Sequence, residues 1–283
     1  NLDEMSKWAA GAGRVLGDAS VGFLQPFLQV TDFKSQSELK RDYRQNPTYK
    51  DGVDAFLSDN YSVVGIDTTD SGRNSVGFLE INADLFEFTK NENYREQIFN
   101  QIKNHLPERL DDFVLINNAA VQILNPVSKL NLSDWDKTLT VNTMAPFFLV
   151  QGFLEQLTKT HGHVINISSI HSRLTKANFS CYATSKAALE ALTRSLALEL
   201  SVNGISVNAI APAAIATQML KDGFAESPEK LKELESYHPA GMIGSPEELA
   251  AFVKSLVEQK GRFLTGSVLD FNGGIGCRLH DPD

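Results

Sequence analysis

The sequence is poor in cysteine and has no long uninterrupted apolar stretch. Cys181 and Cys277 are its only cysteines, which fits a reducing compartment. No run of about 18 uncharged apolar residues is present, so we expect no transmembrane helix. Residues 1–10 carry three charged side chains and lack the pattern of a signal peptide. These absences predict a cytoplasmic protein that does not contact a membrane.

The sequence also has fewer basic than acidic residues. The chain has 26 Lys and Arg against 35 Asp and Glu, a net charge of −9 at pH 7, which argues against nucleic acid as a partner. Neither H-x-x-H nor H-E-x-x-H occurs, so we predict no catalytic metal. At 283 residues with 42% hydrophobic and 22% charged residues, the chain fits one large globular domain, with or without a small extension.

The N-terminal region lacks a recognisable phosphate-binding loop. Residues 11–17 are glycine-rich, but residues 1–10 before them do not read as a buried strand. Asp67, the acid expected to follow such a loop, stands 50 residues after Gly17, whereas about 20 is typical. A flexible turn is therefore the favoured interpretation. Residues 40–50, where the loop should lie, contain no glycine; their Lys and Arg side chains are phosphate partners or a solvated helix face.

From about residue 51 onward, strand patterns alternate with helix patterns. Apolar strand patterns cover residues 61–66, 78–81, 113–116, 163–169, 205–210 and 263–271. Amphipathic or capped helices are predicted at 94–106, from Tyr182 to Leu200, and from Ser245 onward. This alternation predicts an α/β fold with a doubly wound, mostly parallel sheet flanked by helices. We expect two segments: an irregular region at 1–50 and the α/β domain at 51–283.

Tyr182 and Lys186 are the centre of the predicted site. Four residues apart, they share one face of a helix, and Ser169 ends a buried strand 13 residues earlier. A free tyrosine has a pKa of about 10, and a neighbouring ammonium lowers that pKa by stabilising the phenolate. A serine hydroxyl can hold a substrate oxygen while tyrosine transfers the proton. This combination suits carbonyl reduction or alcohol oxidation with hydride from a cofactor.

Six segments, in this order and at these spacings, resemble the classical short-chain dehydrogenase/reductase family. They are 112–120 (DFVLINNAA), 141–147 (VNTMAPF), 165–169 (INISS), 182–186 (YATSK), 205–217 (ISVNAIAPAAIAT) and 264–274 (LTGSVLDFNGG). The resemblance implies a Rossmann-type fold and an NAD(P)-dependent oxidoreductase acting on a small-molecule secondary alcohol or ketone. It implies that Tyr182 is the acid/base, that Lys186 lowers its pKa and holds the nicotinamide ribose, that Ser169 orients the substrate oxygen, and that Asn142 supports a proton relay through water.

The resemblance also assigns cofactor contacts. Asp67, at the tip of a strand, would take the ribose hydroxyls and repel a 2′-phosphate, which favours NAD over NADP. The alternative for Asp67 is an ordinary strand-end acid. The other implied contacts are Asp84, the backbone of Leu85, Asn118, the backbone of Ile215, and Thr217, with Tyr182 and Lys186 also touching the cofactor. A homodimer or homotetramer is expected.

The sequence departs from the family pattern in three places. The glycine loop is not found, and Ala120 and Ala213 stand where the family usually has glycine. These departures leave an alternative: a family-derived binding or scaffolding protein with impaired cofactor binding. A further alternative is that residues 1–50 are an altered or artificially joined segment. The four polar residues Asn142, Ser169, Tyr182 and Lys186 favour the enzyme.

Overall fold

The computed structural model describes residues 22–24, 56–57, 61–68, 78–217, 220, 224, 227–259 and 261–278. For residues 22–24 it describes the backbone path alone. The interpretations of residues 11–17 as a turn or phosphate loop, and of residues 35–50 as a charged helix or phosphate partners, lie outside these ranges.

Most of the strands pair in parallel, as in a doubly wound fold. They are β1 (Gly22–Leu24), β2 (Val63–Asp67), β3 (Phe78–Asn82), β4 (Val114–Asn117), β5 (Ala120–Gln122), β6 (His163–Ile167), β7 (Ser206–Pro212) and β8 (Val268–Phe271). β2 and β3 pair in parallel, and β4, β6, β7 and β8 form a second parallel set in that order. β1 pairs antiparallel with β5, outside both sets.

Helices connect the strands as crossovers. They are α1 (Leu85–Lys90), α2 (Glu92–Lys103), α3 (Leu132–Leu139), α4 (Ala145–Gly152), α5 (Leu154–Thr160), α6 (Ser180–Leu200), α7 (Pro228–Tyr237) and α8 (Pro246–Val257). Asn131 caps α3 and Ser245 caps α8, each in a capping box. The capped helix predicted from Ser245 onward is thus confirmed.

Both faces of the sheet are covered, as the alternation of strands and helices predicts. Leu115 of β4 points into a core formed with α2, α4, α5 and α6, which includes Phe99 and Phe153. Its neighbours Val114 and Ile116 point the other way, into a core formed with α8. Successive strand residues therefore face opposite layers, as a strand buried on both sides requires. The predicted α/β, doubly wound, Rossmann-type architecture is confirmed.

One predicted boundary is wrong. The strand predicted at 263–271 begins only at Val268, because Gly266 has a positive φ of 73° that interrupts extended structure; Phe263 is fully exposed. Asn142 lies in a π-helical turn at Thr140–Met144 between α3 and α4. Such turns interrupt α-helices and occur often at functional sites.

Two searches of the described residues gave negative results. No helix among them is both long and apolar enough to cross a bilayer. No group of three or more His, Cys, Asp or Glu side chains in the same ranges is placed to hold a metal ion.

Candidate active site

The candidate site lies at the edge formed by the carboxyl ends of the parallel strands. Parallel strands end at the same edge, so the residues that follow β2, β4, β6 and β7 meet there. Asp67 ends β2, Asn117 ends β4, and Ser168 and Ser169 follow β6 directly. All four are less than 9% exposed. The edge is therefore polar and shielded from solvent.

Ser169 is fixed by a short turn after β6. Its backbone is extended, with φ −164°, and it caps the 3-10 turn Ile170–Ser172. The Ser169 Oγ accepts a hydrogen bond from the amide of His171 at 3.2 Å. The same side chain also lies close enough to Tyr182 to lower the pKa of its phenol slightly. The predicted meeting of a strand-end serine and a helical tyrosine therefore occurs.

Tyr182 and Lys186 lie in the first turns of α6 and are almost completely buried. Their exposed fractions are 3% and 1%. The Lys186 ammonium donates to the carbonyl of Ile167, the last residue of β6, at 2.7 Å. Its nitrogen is 5.7 Å from the centre of the Tyr182 ring. The Lys186–Ile167 hydrogen bond holds the start of α6 against β6, the strand that Ser168 and Ser169 follow.

Burial dominates the acidities of this pair. It lowers the pKa of Lys186 to about 7 because a charged ammonium loses hydration. It raises the pKa of Tyr182 to about 12, against a smaller lowering by the interaction with Ser169. The sequence predicts a Tyr182 pKa lowered by Lys186. The shift has the opposite sign, because burial destabilises the phenolate more than the interaction with Ser169 stabilises it.

Asn142 is completely buried and its side chain is fully engaged. Its Oδ1 accepts from the amide of Val121 at 2.7 Å, and its Nδ2 donates to the Val121 carbonyl at 2.9 Å and to Ser185 Oγ at 2.8 Å. The side chain thus ties β5 to α6. The backbone carbonyl of Asn142 would be bonded in an α-helix by the amide of residue 146, which is proline and has no N–H.

An aromatic wall borders Tyr182. The rings of His171 and Phe179 stack at 4.2 Å, and His171 meets Tyr182 edge to face at 6.0 Å. Burial lowers the pKa of His171 to about 4, so this imidazole is neutral at pH 7. The structure makes it a neutral, half-buried ring next to the phenol.

The implied adenosine contacts lie at the ends of β2 and β3. Asp67 is 3% exposed, and its backbone carbonyl accepts from the amide of Ala83 at 2.8 Å, which aligns the two strand ends. Asp84 caps α1, with Oδ1 accepting from the amide of Phe86 at 2.8 Å. Leu85 begins that helix with its side chain in the core. Asp84 therefore has a structural task in addition to any contact with a cofactor.

The implied nicotinamide contacts follow β4 and β7. Asn118 comes directly after β4 and is partly buried. Ile215 forms a parallel bridge with Gly244, made by the Ala216 amide and the Ala214 carbonyl, so the Ile215 amide points to the opposite side. Thr217 Oγ1 accepts from the amide of Leu220 at 3.2 Å.

Three buried polar residues of this region were not singled out from the sequence. Ser185 Oγ donates to the Tyr182 carbonyl at 2.8 Å and accepts from Asn142. Ser168 and Glu190 hydrogen-bond to each other at 3.0 Å. A usable signal existed for Glu190, because its spacing of four from Lys186 places it on the face of α6 that carries Tyr182 and Lys186.

A family model and known proteins match this chain. The model described as "Enoyl-(Acyl carrier protein) reductase" matches residues 63–276. The 3beta-hydroxysteroid dehydrogenase 1 of Eggerthella lenta is 34% identical over 166 residues, which are 57% of this chain and 62% of that protein. The chain thus matches about three fifths of the length of this curated relative.

Solved structures also resemble the chain. The structure of ElxO with NADP bound is 25% identical, has a TM-score of 0.72, and aligns over 82% of this chain and 95% of its own. A 4-hydroxyisoleucine dehydrogenase complexed with NADH has a TM-score of 0.73 over 82% of this chain and 95% of its own. Its identity of 24% supports the likeness of fold alone.

Proposed function

Because the chain belongs to the short-chain dehydrogenase/reductase family, we propose that it is an NAD(P)-dependent oxidoreductase that interconverts a secondary alcohol and its ketone. The observation that supports this most is the buried cluster in which Ser169 and Lys186 both lie beside the phenol of Tyr182. A family member without catalytic function has no need to keep these three groups buried together.

Each residue has a distinct task in the proposed reaction. Ser169 Oγ holds the substrate oxygen and stabilises negative charge on it, since preorganised donors in a dry site are effective. Tyr182 transfers a proton to or from that oxygen. The Lys186 ammonium would pair with the hydroxyls of a ribose and, in its charged form, would lower the pKa of the Tyr182 phenol. The Asn142 carbonyl accepts from a water molecule that relays the proton outward.

The described residues fit a nicotinamide cofactor. The Lys186 ammonium has three N–H donors, and the Ile167 carbonyl takes one of them. The outward-facing Ile215 amide and the buried Asp67 carboxylate offer further partners at the same edge. When bound, the cofactor supplies or accepts a hydride. ElxO binds NADP and 4-hydroxyisoleucine dehydrogenase binds NADH; we favour NAD here because Asp67 would repel a 2′-phosphate.

A family-derived binding protein is the second candidate. Ala120 replaces the usual glycine, is 2% exposed and packs with Phe179 and Tyr182. Its methyl group narrows the approach of a ligand to this backbone. Cofactor binding separates the two candidates, because a protein with a closed cofactor site would bind neither NADH nor NADPH.

The first experiment is titration with NADH and NADPH, following nicotinamide fluorescence. We expect NADH to bind more tightly than NADPH, and we expect Lys186→Ala to weaken binding. Well-folded protein that binds neither cofactor would overturn the enzyme proposal and favour the binding protein.

The second experiment tests the proton transfer with Tyr182→Phe. Oxidation of secondary alcohols by this variant should be about 10²- to 10⁴-fold slower, the usual contribution of a general acid/base, while NADH affinity is retained. Tyr61→Phe serves as the matched control, because Tyr61 packs edge to face on Phe56 and is not in the site. Equal turnover by Tyr182→Phe and wild type would contradict the proposed role.

We further propose a homodimer or homotetramer. Leu198 near the end of α6 and Val202 just after it are 81% and 85% exposed, unusually high for apolar side chains. Sedimentation of the wild type and of Leu198→Glu tests this; a monomeric wild type would refute it.

A further inference from the structure

Glu190 is a buried carboxylate for which the proposed mechanism has no task. It lies on α6 one turn beyond Lys186 and is 5% exposed. Its position places it on the face of the helix that also carries Tyr182. A carboxylate at this depth loses its hydration and is stable only if donors surround it. The identity of those donors shows what the residue does.

Two of the donors flank Ser169 in the chain. Ser168 Oγ donates to Glu190 Oε1 at 3.0 Å. Ser172 Oγ donates to the same oxygen through a short hydrogen bond. The carboxylate therefore closes the ends of the segment 168–173, which we call the serine turn. Ser169 lies inside this segment.

The second oxygen extends the network to the neighbouring strand. Arg173 Nε lies 4.0 Å from Glu190 Oε2. The Arg173 guanidinium also forms an ion pair with Asp270 of β8, using both of its terminal nitrogens. The far end of the serine turn is thus held by side chains from α6 and β8.

At its entry, the serine turn is attached to β7 by a backbone hydrogen bond. The Ser168 amide donates to the Ile210 carbonyl of β7 at 2.7 Å, which fixes the entry. Beyond Ser169, the backbone bonds of the turn lie within the turn and its exit, from the Ser172 amide to the Ser169 carbonyl and from the Leu174 amide to the Ile170 carbonyl. Such local bonds shape a turn but do not fix its position on the protein. The contacts of Ser172 and Arg173 with Glu190 supply that attachment, together with the Arg173–Asp270 ion pair and the stacking of His171 on Phe179.

We propose that Glu190 is a positioning residue that holds the serine turn against α6 and so sets the place of Ser169 relative to Tyr182. The two hydroxyls of the catalytic pair come from different elements, β6 and α6, and Glu190 joins those elements just behind the pair. The catalytic part of this inference rests on the proposed function. The anchoring part rests on the contacts alone.

Three variants separate anchoring from other effects. Glu190→Ala removes both oxygens, whereas Glu190→Gln keeps one acceptor and adds an amide that a serine oxygen can accept from. Glu199→Ala is the matched control, since Glu199 is an exposed glutamate on the same helix. All three keep Ser169, Tyr182 and Lys186 unchanged.

Amide hydrogen exchange measures the anchor without requiring turnover. In Glu190→Ala we expect residues 170–174 to exchange about 10-fold faster or more, the factor that loss of hydrogen bonds to a buried charge implies. Exchange in β6 should be unchanged. Glu190→Gln should restore slow exchange, and Glu199→Ala should match the wild type. Unchanged exchange of residues 170–174 in Glu190→Ala would overturn the inference.

Steady-state kinetics measure the catalytic consequence. Glu190→Ala should lower kcat by about 10- to 100-fold, as small misplacements of a catalytic group do. The dissociation constant for NADH should stay the same, because Lys186 is unchanged. Faster exchange with an unaltered kcat would reduce Glu190 to a structural role and overturn the positioning claim. A wild type without turnover would overturn the proposed function, and the exchange data would still decide whether Glu190 anchors the turn.

Discussion

At the scale of single residues, Lys186 shows how burial and function oppose each other. A lysine that is 1% exposed has almost no hydration, and the Ile167 carbonyl replaces only part of it. The protein therefore keeps this ammonium at a cost in stability. If the hydroxyls of a ribose completed the hydrogen bonds of Lys186, the energy of cofactor binding would stabilise the charged ammonium beside Tyr182.

The lowered pKa of Lys186 predicts how stability depends on pH. Its folded pKa is about 7, below the unfolded value of about 10.4, so between pH 7 and 9 the unfolded chain binds a proton that the folded chain does not. Stability should therefore rise with pH in this window, by at most about 1.4 kcal/mol per unit from this group. Urea unfolding at three pH values should show this rise in the wild type and lose it in Lys186→Met. Exposed Lys129→Met is the control; parallel curves for the wild type and Lys186→Met would refute the prediction.

The positions of the proposed catalytic residues were easier to predict than the positions of the residues around them. Ser169 follows a buried strand, and Tyr182 and Lys186 share a helix face, so their placement depends on local pattern. Ser168 and Ser172 reach Glu190 over 22 and 18 residues. That contact exists only because the turn folds back onto α6, and no local period encodes it.

At the scale of elements, the packing of α4 on α2 depends on one small residue. A Cβ built on Gly152 would lie 2.0 Å from the Cζ of Phe99. Phe99 cannot give way easily, because its ring meets Phe88 and Phe153 edge to face at 5.3 and 5.2 Å. The helices can approach this closely only if the position has no side chain.

Replacing Gly152 should separate these helices. We expect Gly152→Ala to lose about 1–3 kcal/mol of unfolding free energy from overpacking, despite the better helix propensity of alanine. Gly261→Ala is the control, since a Cβ there has no atom within 4 Å. The urea unfolding midpoints of the two variants test this loss of stability. Equal midpoints would show that the Phe99 ring can move.

Element type was more predictable than element ends. β2, β3, β4, β6 and β7 follow apolar patterns and were placed to within two residues at each end, whereas the short β5 was not predicted. The start of β8 was misplaced because the segment 264–267 attaches to β7 through mixed contacts, such as the Val207 amide to Thr265 Oγ1 at 3.1 Å. An apolar run does not distinguish those contacts from a regular ladder.

At the scale of the whole molecule, one apolar core joins the two strand sets. Phe56 is 1% exposed and belongs to the cluster that holds Val63 and Phe78 from the β2–β3 pair. The same cluster holds Val114 and Val253 from the larger set and from α8. The two sets should therefore unfold together, although β2 pairs with β3 and not with β4 in the described sheet.

Removing the Phe56 ring should weaken both sets at once. We expect Phe56→Ala to cost about 3–5 kcal/mol and to leave a single cooperative transition at lower denaturant concentration. Phe263→Ala should change little, because Phe263 is fully exposed. Circular dichroism and tryptophan fluorescence should trace the same curve; two separated transitions would show that the strand sets fold independently.

Pro146 removes one hydrogen-bond donor from the helical segment that contains Asn142. Nineteen of the twenty amino acids would bring an N–H to this position, and an N–H there could occupy the carbonyl one turn earlier. Proline at this position therefore cannot form the α-helical bond to the Asn142 carbonyl, and the segment Thr140–Met144 follows the wider i+5 pattern instead, in which the Ala145 amide bonds to the Thr140 carbonyl. The wider turn is what allows the Asn142 side chain to join β5 to α6.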